Sequence, residues 1–200
     1  MEFEEVINKR ASVRWFSDEE VDEKSLEEIL SAALRAPTAF GAEQWFFIIA
    51  KSYKIRKKIH ELMLKAHLEY YEKARLEKID EARRQKLIKR FEEGLHWAPI
   101  YIAVYVDLTR RILQNDYRWL EEKLAEHSAC AAMENLILAA RNLGFGTCWI
   151  GLALLVEEEL KKLLKPPENS KLVAVISLGK PLKEVKPKPR KPISEVSKVL

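Results

Sequence analysis

The sequence predicts an α+β fold in which a small mixed central sheet is sandwiched by helices. Three observations favour this class. Three apolar runs have the length of buried strands, one long charged segment has helical spacing, and a later segment is apolar or small nearly all round. The 200 residues, 48% of them hydrophobic, suffice for a substantial core and fit a single domain over residues 1–200.

The stretch KRASVRWF, residues 9–16, brings three cations into eight positions. An extended backbone would project Arg10, Ser12 and Arg14 to one side and the intervening apolar side chains to the other. This pattern fits an anion site attached to the core. It also fits a solvated surface, because cations near a terminus commonly face water.

The first long helix is predicted in SLEEILSAALRAP, where Ser25 and Glu28 have the spacing of a capping box and Pro37 stops the helix. Three strands are predicted from runs of β-branched and aromatic residues. Because these runs are continuously apolar, the strands should be covered on both faces. The runs are WFFIIA (45–50), IYIAVYV (100–106) and KLVAVISLG (171–179).

Three further segments complete the predicted layout. Residues 54–95 are rich in Lys, Arg and Glu with apolar positions at helical spacing, which predicts one or two long amphipathic helices. Residues 126–144 predict a helix that ends at Gly144 and is buried in a core or a subunit interface. Residues 183–200 are expected to form an extended C-terminal arm, because three prolines within six residues prevent a regular element.

Composition argues against several classes of protein. A net charge of +4 from 35 basic and 31 acidic residues is too balanced for a nucleic-acid partner. We expect neither a membrane span nor a secretory signal, and therefore a cytoplasmic protein. Cys130 and Cys148 lie in apolar contexts typical of reduced thiols, and the four histidines lack metal-ligand spacing, so no metal is expected.

The residues that carry chemistry are not evident from short motifs. The chain has six glycines and neither a GxGxxG nor a Walker loop, and no nucleophile or acid–base set can be proposed from spacing. This favours a binding protein or an enzyme whose cofactor performs the reaction. In LGFGTCWIG (143–151), Gly151 could present its amide to a flat ligand, or the stretch could be a helix cap followed by a core strand.

Taken in order, four stretches resemble the nitroreductase family of FMN-dependent oxidoreductases, and the resemblance covers nearly the whole chain. They are KRASVRWF, AALRAPTAFGAEQWFFIIA, AAMENLILAARNLGFGTCWIG, and VAVISLGKP followed by KPRKP. The resemblance implies a nitroreductase-like fold in an intertwined homodimer, with residues 54–95 as the family's variable helical region. It also implies that flavin, and no catalytic side chain, carries the chemistry.

The resemblance assigns roles to individual positions. Arg10, Ser12, Lys188 and Arg190 match the group that binds the FMN phosphate, and Arg14 matches the cation beside the pyrimidine end of the flavin. A phosphate dianion is well held by several guanidinium and hydroxyl donors, so the physical chemistry agrees with this assignment.

Two further sets of positions match the family pattern. The partner subunit would lay one loop against the cofactor, and the end of the last glycine-rich strand would contact the flavin, with the Gly151 amide facing its hydride-accepting nitrogen. Phe40 and Trp149 would line the substrate pocket. The cofactor-binding positions in these sets are Pro37, Thr38, Ala39 and Gly41 in the loop, and Ile150 and Gly151 on the strand.

One departure from the family lies in GAEQW. The family often has an Asn in the loop and Gln-Pro-Trp before the strand, where this chain has Gly41, Glu43 and Gln44 and keeps Trp45. The resemblance therefore does not extend to a hydrogen bond from this Asn side chain to the flavin. Glu43 either alters substrate preference or is a surface charge.

The resulting functional prediction is an FMN-dependent enzyme that takes hydride from NADH or NADPH and passes electrons to a small-molecule acceptor, such as a quinone or a nitroaromatic, by a ping-pong mechanism. One alternative is the same fold with other flavin chemistry, namely reductive dehalogenation or flavin breakdown. Another is a protein without enzymatic activity that binds an anionic polymer through its basic arm.

Overall fold

The computed structural model describes residues 2–77, 79–109 and 111–200. Its sheet has four strands in the order β1-β2-β4-β3, and each pairs antiparallel with its neighbours. The predicted sheet was mixed. In the described part of the chain, the parallel pairing consists of an isolated bridge between Ser12 and Thr147, at the edge of β3. The strands are β1 (Trp45–Ala50), β2 (Ile100–Asp107), β3 (Gly146–Ile150) and β4 (Ser170–Gly179).

The three strands predicted from apolar runs are confirmed as β1, β2 and β4, with ends that differ by no more than one residue. Helices cover both faces of the sheet, as predicted. Alternate side chains of β2 enter two different cores: Ile102 and Val104 lie in one, and Tyr101 and Tyr105 in the other. All four side chains are completely buried, which explains why the strand has no polar alternation.

The described part of the chain contains seven α-helices. The core that contains Ile102 is completed by α2 and α5, and the core that contains Tyr101 by α3 and α6. No helix formed by the described residues is long and apolar enough to cross a membrane. The helices are α1 (Phe3–Lys9), α2 (Glu23–Ala33), α3 (Tyr53–Glu69), α4 (Glu81–Glu92), α5 (Arg118–Asn142), α6 (Glu157–Leu164) and α7 (Ile193–Val196).

The start of α2 differs from the prediction. Asp22, not Ser25, is the N-cap, and its carboxylate accepts hydrogen bonds from the Ser25 backbone N–H at 2.9 Å and the Ser25 hydroxyl at 2.6 Å. The Asp22 carboxylate thus satisfies an N–H of the first turn and places a negative charge at the positive end of the helix dipole. The helix ends at Ala33, shortly before Pro37, as expected.

The charged segment 54–95 forms two helices, α3 and α4, joined through a five-residue π-helix at Tyr70–Ala74. The helix predicted over 126–144 is α5, which begins earlier, at Arg118. Gly144 has φ +85°, a conformation that terminates α5 without the strain of a side chain.

The C-terminal arm departs from its prediction in one place. The short helix α7 interrupts it, starting directly after Pro192, which has φ −64° and ψ 153°. Proline is compatible with a helix start because the first turn needs no N–H from it. Residues 183–192 have no regular structure and are mostly exposed, as predicted.

Candidate functional site

A cleft of about 240 Å³ brings together residues from the two ends of the chain. We call it the cationic cleft. Its functional side chains come from the N-terminal extended segment and from the C-terminal arm, which are separated by more than 170 residues of sequence. They are Arg10, Ser12 and Arg14 from the segment, and Lys186, Lys188 and Arg190 from the arm.

Backbone hydrogen bonds hold the N-terminal segment between the sheet and the arm. The Val13 N–H donates to the Thr147 carbonyl at 2.9 Å, which fixes the segment on the edge of β3. On its other side, the Trp15 carbonyl accepts from the Leu182 N–H at 3.0 Å. These contacts start the arm beside the segment, and the cations of both can therefore face one cleft.

Gly146 permits this close approach. A Cβ atom at this position would lie 2.5 Å from Cγ2 and 2.7 Å from Cβ of Val13, well inside van der Waals contact. The segment could not lie this close to β3 if residue 146 had a side chain. The glycine-rich stretch GFGTCWIG is thus explained in part by the packing of the N-terminal segment.

The charges in the cationic cleft are not neutralised by nearby carboxylates. Within the described residues, no ion pair within 4.0 Å involves Arg10, Arg14, Lys188 or Arg190, although surface ion pairs are numerous elsewhere. Arg14 donates to the Ser12 carbonyl at 3.3 Å. The cleft thus offers guanidinium, ammonium and hydroxyl donors together, a set suited to an anion with several acceptor oxygens.

A buried aromatic and histidine cluster supports the backbone of Arg14. The His96 N–H donates to the Arg14 carbonyl at 2.8 Å, and the His96 carbonyl accepts from the Tyr101 hydroxyl at 2.7 Å. His96 has φ +66°, which is uncommon for a residue with a side chain. Burial, reinforced by the neighbouring His67 and Arg14, lowers the pKa of His96 to about 3.

Sequence reasoning did not select His96. Nothing in the local sequence indicates a left-handed histidine, because both the conformation and the contact with Arg14 depend on residues distant in the chain. The cluster also contains His60 and His67, whose pKa values are lowered by burial. All three side chains are therefore neutral near pH 7 and add no positive charge beneath Arg14.

The end of β3 has alternating exposure. Cys148 and Ile150 are buried, whereas Trp149 is 37% exposed and Gly151 is exposed at the start of a 3₁₀ helix, Gly151–Val156. Burial raises the pKa of the Cys148 thiol to about 11, so it stays protonated. Ser12 pairs in parallel with Thr147, so two residues farther along both segments Arg14 lies opposite Trp149.

The loop at residues 37–41 lies on α5, and none of its residues lines the cationic cleft. The Ala39 N–H donates to the Ser128 hydroxyl at 3.1 Å, and Thr38 accepts from the Glu43 N–H at 2.9 Å. Pro37 is exposed, and Phe40 is 65% exposed. A single chain thus brings together the residues that the resemblance assigns to the phosphate site. It keeps its own loop at 37–41, which the resemblance assigns to the partner's cofactor, outside that cleft.

Backbone strain marks the same loop. Phe40, Gly41 and Glu43 have φ of 56°, 66° and 46°, so two residues with side chains lie in the left-handed region. A Cβ atom added at residue 41 would meet no other atom within 4 Å, so space does not require glycine there. The positive φ does, because glycine adopts it without strain. Glu43 is exposed, while Gln44 is buried and donates to Glu121 at 3.2 Å.

The sequence and the fold of this chain are similar to those of known proteins. The profile of the Nitroreductase family matches residues 7–180, which include the segment of Arg10 and Arg14 but not the arm of Lys188 and Arg190. An Archaeoglobus fulgidus protein provisionally named NADH dehydrogenase/NAD(P)H nitroreductase is 30% identical over 181 residues, 90% of this chain and 85% of that protein. Human iodotyrosine deiodinase 1 is 27% identical over 197 residues, 98% of this chain and 67% of that protein.

Among solved structures, a nitroreductase with bound FMN from Desulfitobacterium hafniense has a similar fold, with a TM-score of 0.74 and 22% identity. The match covers 98% of this chain and 97% of that one. At this level of identity the likeness concerns the fold. The family match, the relatives and the shared fold together show that this chain belongs to the nitroreductase family.

Proposed function

We propose that this protein is an FMN-dependent oxidoreductase that accepts hydride from a reduced nicotinamide dinucleotide and passes electrons to a small acceptor such as a quinone or a nitroaromatic. The observation that carries the proposal is the cationic cleft, in which Arg10, Ser12, Lys188 and Arg190 converge from the two ends of the chain. Oxidoreductase chemistry follows from family membership. The cofactor and the acceptor are our inference.

The donors in the cationic cleft fit the phosphate of FMN. A phosphate monoester carries nearly two negative charges near neutral pH and three acceptor oxygens. Three cations without carboxylate partners and one hydroxyl match this charge and this number of acceptors. The prolines of the arm restrict the unbound conformations of Lys188 and Arg190, which lowers the entropy lost on binding.

Arg14 would act on the flavin ring. When bound, FMN supplies the capacity to accept a hydride and to release electrons to a second substrate. Arg14 is exposed beside the phosphate-binding donors, and its backbone is fixed by His96, so its charge can stabilise negative charge that develops on the ring. Gly151 is exposed at the end of β3, and its N–H would donate a hydrogen bond to the same ring.

A homodimer would complete the site. Phe40, Leu34 and Trp119 are each more than half exposed in the single chain, and Trp149 is 37% exposed. Large exposed apolar side chains of this kind are typical of a contact surface. In the dimer, the partner's loop at 37–41 would cover the flavin, and Phe40 and Trp149 would line the pocket shared in turn by donor and acceptor.

A second candidate function is reductive dehalogenation. The matches to iodotyrosine deiodinases favour it, since they extend over 98% of this chain in the human protein. The two activities need the same FMN site and differ in the acceptor. Anaerobic turnover of chemically reduced protein with a halotyrosine or with a nitroaromatic would distinguish them.

Absorbance spectroscopy tests the proposed function. Purified protein incubated with FMN and passed through a desalting column should retain a flavin spectrum, and anaerobic addition of NADH or NADPH should bleach it. Lys191→Ala is a matched control for Arg190→Ala, since Lys191 is a neighbouring cation outside the cleft. Protein that remains colourless after incubation with FMN would contradict the proposal.

A further inference from the structure

A second basic cleft, of about 220 Å³, lies in the helical region 70–92. We call it the helical cleft. Four cations line it, Arg75, Arg83, Lys86 and Arg90, and no acidic residue is among the described residues that line it. Its remaining lining is apolar or aromatic, from Tyr71, Ile79 and Leu87, all half-buried. The cleft therefore combines a flat apolar surface with concentrated positive charge.

The carboxylates nearest in sequence neutralise the cations of the helical cleft only weakly. Arg84, which does not line the helical cleft, donates to Glu72 at 2.7 Å and to Glu81 at 3.5 Å. Asp80 approaches Arg83 only to 4.0 Å, with both side chains more than 60% exposed. In the described part of the chain, no ion pair within 4.0 Å involves the other three cations. Apart from the long, exposed pair of Arg83 with Asp80, the cations that line the cleft are free of carboxylate partners among the described residues, which suits an anionic ligand.

The cations are positioned by defined backbone elements. Residues 83, 86, 87 and 90 of α4 are spaced so that they share one helix face. The π-helix Tyr70–Ala74 ends where the Arg75 N–H donates to the Tyr70 carbonyl at 2.9 Å, and the Arg75 guanidinium lies 5.6 Å from the centre of the Tyr71 ring. Single π-helical turns occur frequently at functional sites.

The helical cleft extends from the neighbourhood of Arg14. Arg90 lies with its guanidinium 6.0 Å from the centre of the Trp15 ring, and Trp15 directly follows Arg14 in the chain. The cleft follows α4 from Arg90 towards the N-terminus of the helix, and Arg83 lies about 10 Å from Arg90 along the helix axis. A ligand with one end beside Arg14 could thus place a phosphate near Arg83 and Lys86.

We propose that the helical cleft binds the adenosine 2′-phosphate of NADPH and makes NADPH, rather than NADH, the preferred donor. This inference rests on the proposed function. The 2′-phosphate is a monoester with nearly two charges, which NADH lacks, and arginine binds such groups in bidentate geometry. The apolar surface formed by Tyr71, Ile79 and Leu87 is suited to the adenine ring.

Direct binding of nucleotide fragments tests this proposal without turnover. Titration calorimetry would compare adenosine 2′,5′-bisphosphate with adenosine 5′-monophosphate on the FMN-loaded protein and on protein prepared without FMN. We expect the bisphosphate to bind at least tenfold more tightly than the monophosphate. Each cation lost should weaken bisphosphate binding about tenfold, the effect of removing one charge-assisted hydrogen bond.

The test variant is the double substitution Arg83→Ala with Lys86→Ala, and both residues are exposed, so folding should be preserved. The control is Lys89→Ala, which removes a cation from α4 outside the helical cleft. We expect the double variant to lose bisphosphate binding and to raise the KM for NADPH at least tenfold while that for NADH changes less than twofold.

Equal binding of the two fragments, or equal loss of NADPH and NADH affinity in the double variant, would overturn the proposal. The fragment titration does not depend on flavin chemistry. Failure of the FMN proposal would therefore appear as an absent flavin spectrum, and failure of this one as absent discrimination between fragments.

Discussion

Replacement of Gly146 by alanine should disturb the cationic cleft from a distance. The added methyl would lie 2.5, 2.7 and 3.0 Å from the three side-chain carbons of Val13. Val13 cannot simply retreat, because its N–H donates to the Thr147 carbonyl at 2.9 Å, and its side chain is buried with Phe16 and Ala98. The clash therefore acts on the segment that carries Arg10, Ser12 and Arg14.

The size of the effect follows from the distances. Restoring a carbon–carbon contact of about 3.5 Å requires a shift of about 1 Å between the segment and β3. Overpacking of this kind costs about 1–3 kcal/mol, and each kcal/mol lowers the Tm of a domain of this size by about 2–4 °C. A 1 Å displacement of Arg10 and Ser12 should also weaken FMN binding about tenfold, since charge-assisted hydrogen bonds are sensitive to geometry.

Thermal unfolding and fluorescence titration of FMN would measure the two effects on Gly146→Ala. Ile29→Ala is the control, because Ile29 is fully buried in the core of α2 and α5, to which no residue of the segment belongs, and its truncation costs about 2–5 kcal/mol. We expect this control to lose stability and keep its FMN affinity. The reasoning is refuted if Gly146→Ala keeps wild-type FMN affinity, whatever its stability.

Three further predictions concern charged groups. Arg190→Ala should weaken FMN binding about tenfold in the same titration, whereas Lys191→Ala should not; equal effects would assign the loss to general charge. The pKa of His96 is lowered to about 3, so the unfolded chain binds more protons than the folded chain between pH 6.5 and pH 3. The contribution of His96 to the free energy of unfolding should therefore be fully present above pH 6.5 and fall by on the order of 4 kcal/mol as the pH decreases through this window. Denaturant unfolding against pH should show a smaller fall in His96→Asn, since Asn tolerates the same positive φ; an unchanged profile would exclude His96 as the source. Glu121→Ala should cost about 3 kcal/mol in denaturant unfolding, because Glu121 is 2% exposed and accepts from Arg111 at 2.8 Å and from the Ile112 N–H at 2.7 Å; a loss below 1 kcal/mol would contradict this account.

Local pattern was sufficient for most of the secondary structure. The three apolar runs are strands because continuous apolarity over six to nine residues is stable only when both faces of the strand are covered. The N-cap of α2 was predicted wrongly, since Asp22 and Ser25 are both good caps and the choice depends on how the chain enters the helix. The turn at Ile193–Val196 was missed because prolines were interpreted only as breakers.

The order of the motifs identified the family and proposed the site residues, but the sequence could not bring those residues together. Residues 10 and 190 share a cleft only because backbone hydrogen bonds fix the N-terminal segment between β3 and the start of the arm. The sequence did not indicate a role for His96 either, because that role depends on a contact between its N–H and the carbonyl of Arg14, a residue distant in the chain.

The sequence by itself determined the strands β1, β2 and β4 and the helices α2 to α5, because these depend on the periodicity of neighbouring side chains. The tertiary structure alone decided where charge accumulates. The segment 54–95 has an ordinary mixture of Lys, Arg and Glu. Arg84 nevertheless pairs with Glu72 and Glu81, and of the four cations around the helical cleft Arg83 alone has a described carboxylate, Asp80, within 4.0 Å. Electrostatic neutralisation depends on distances between side chains, and those distances are set by the packing of α3, the π-helix and α4.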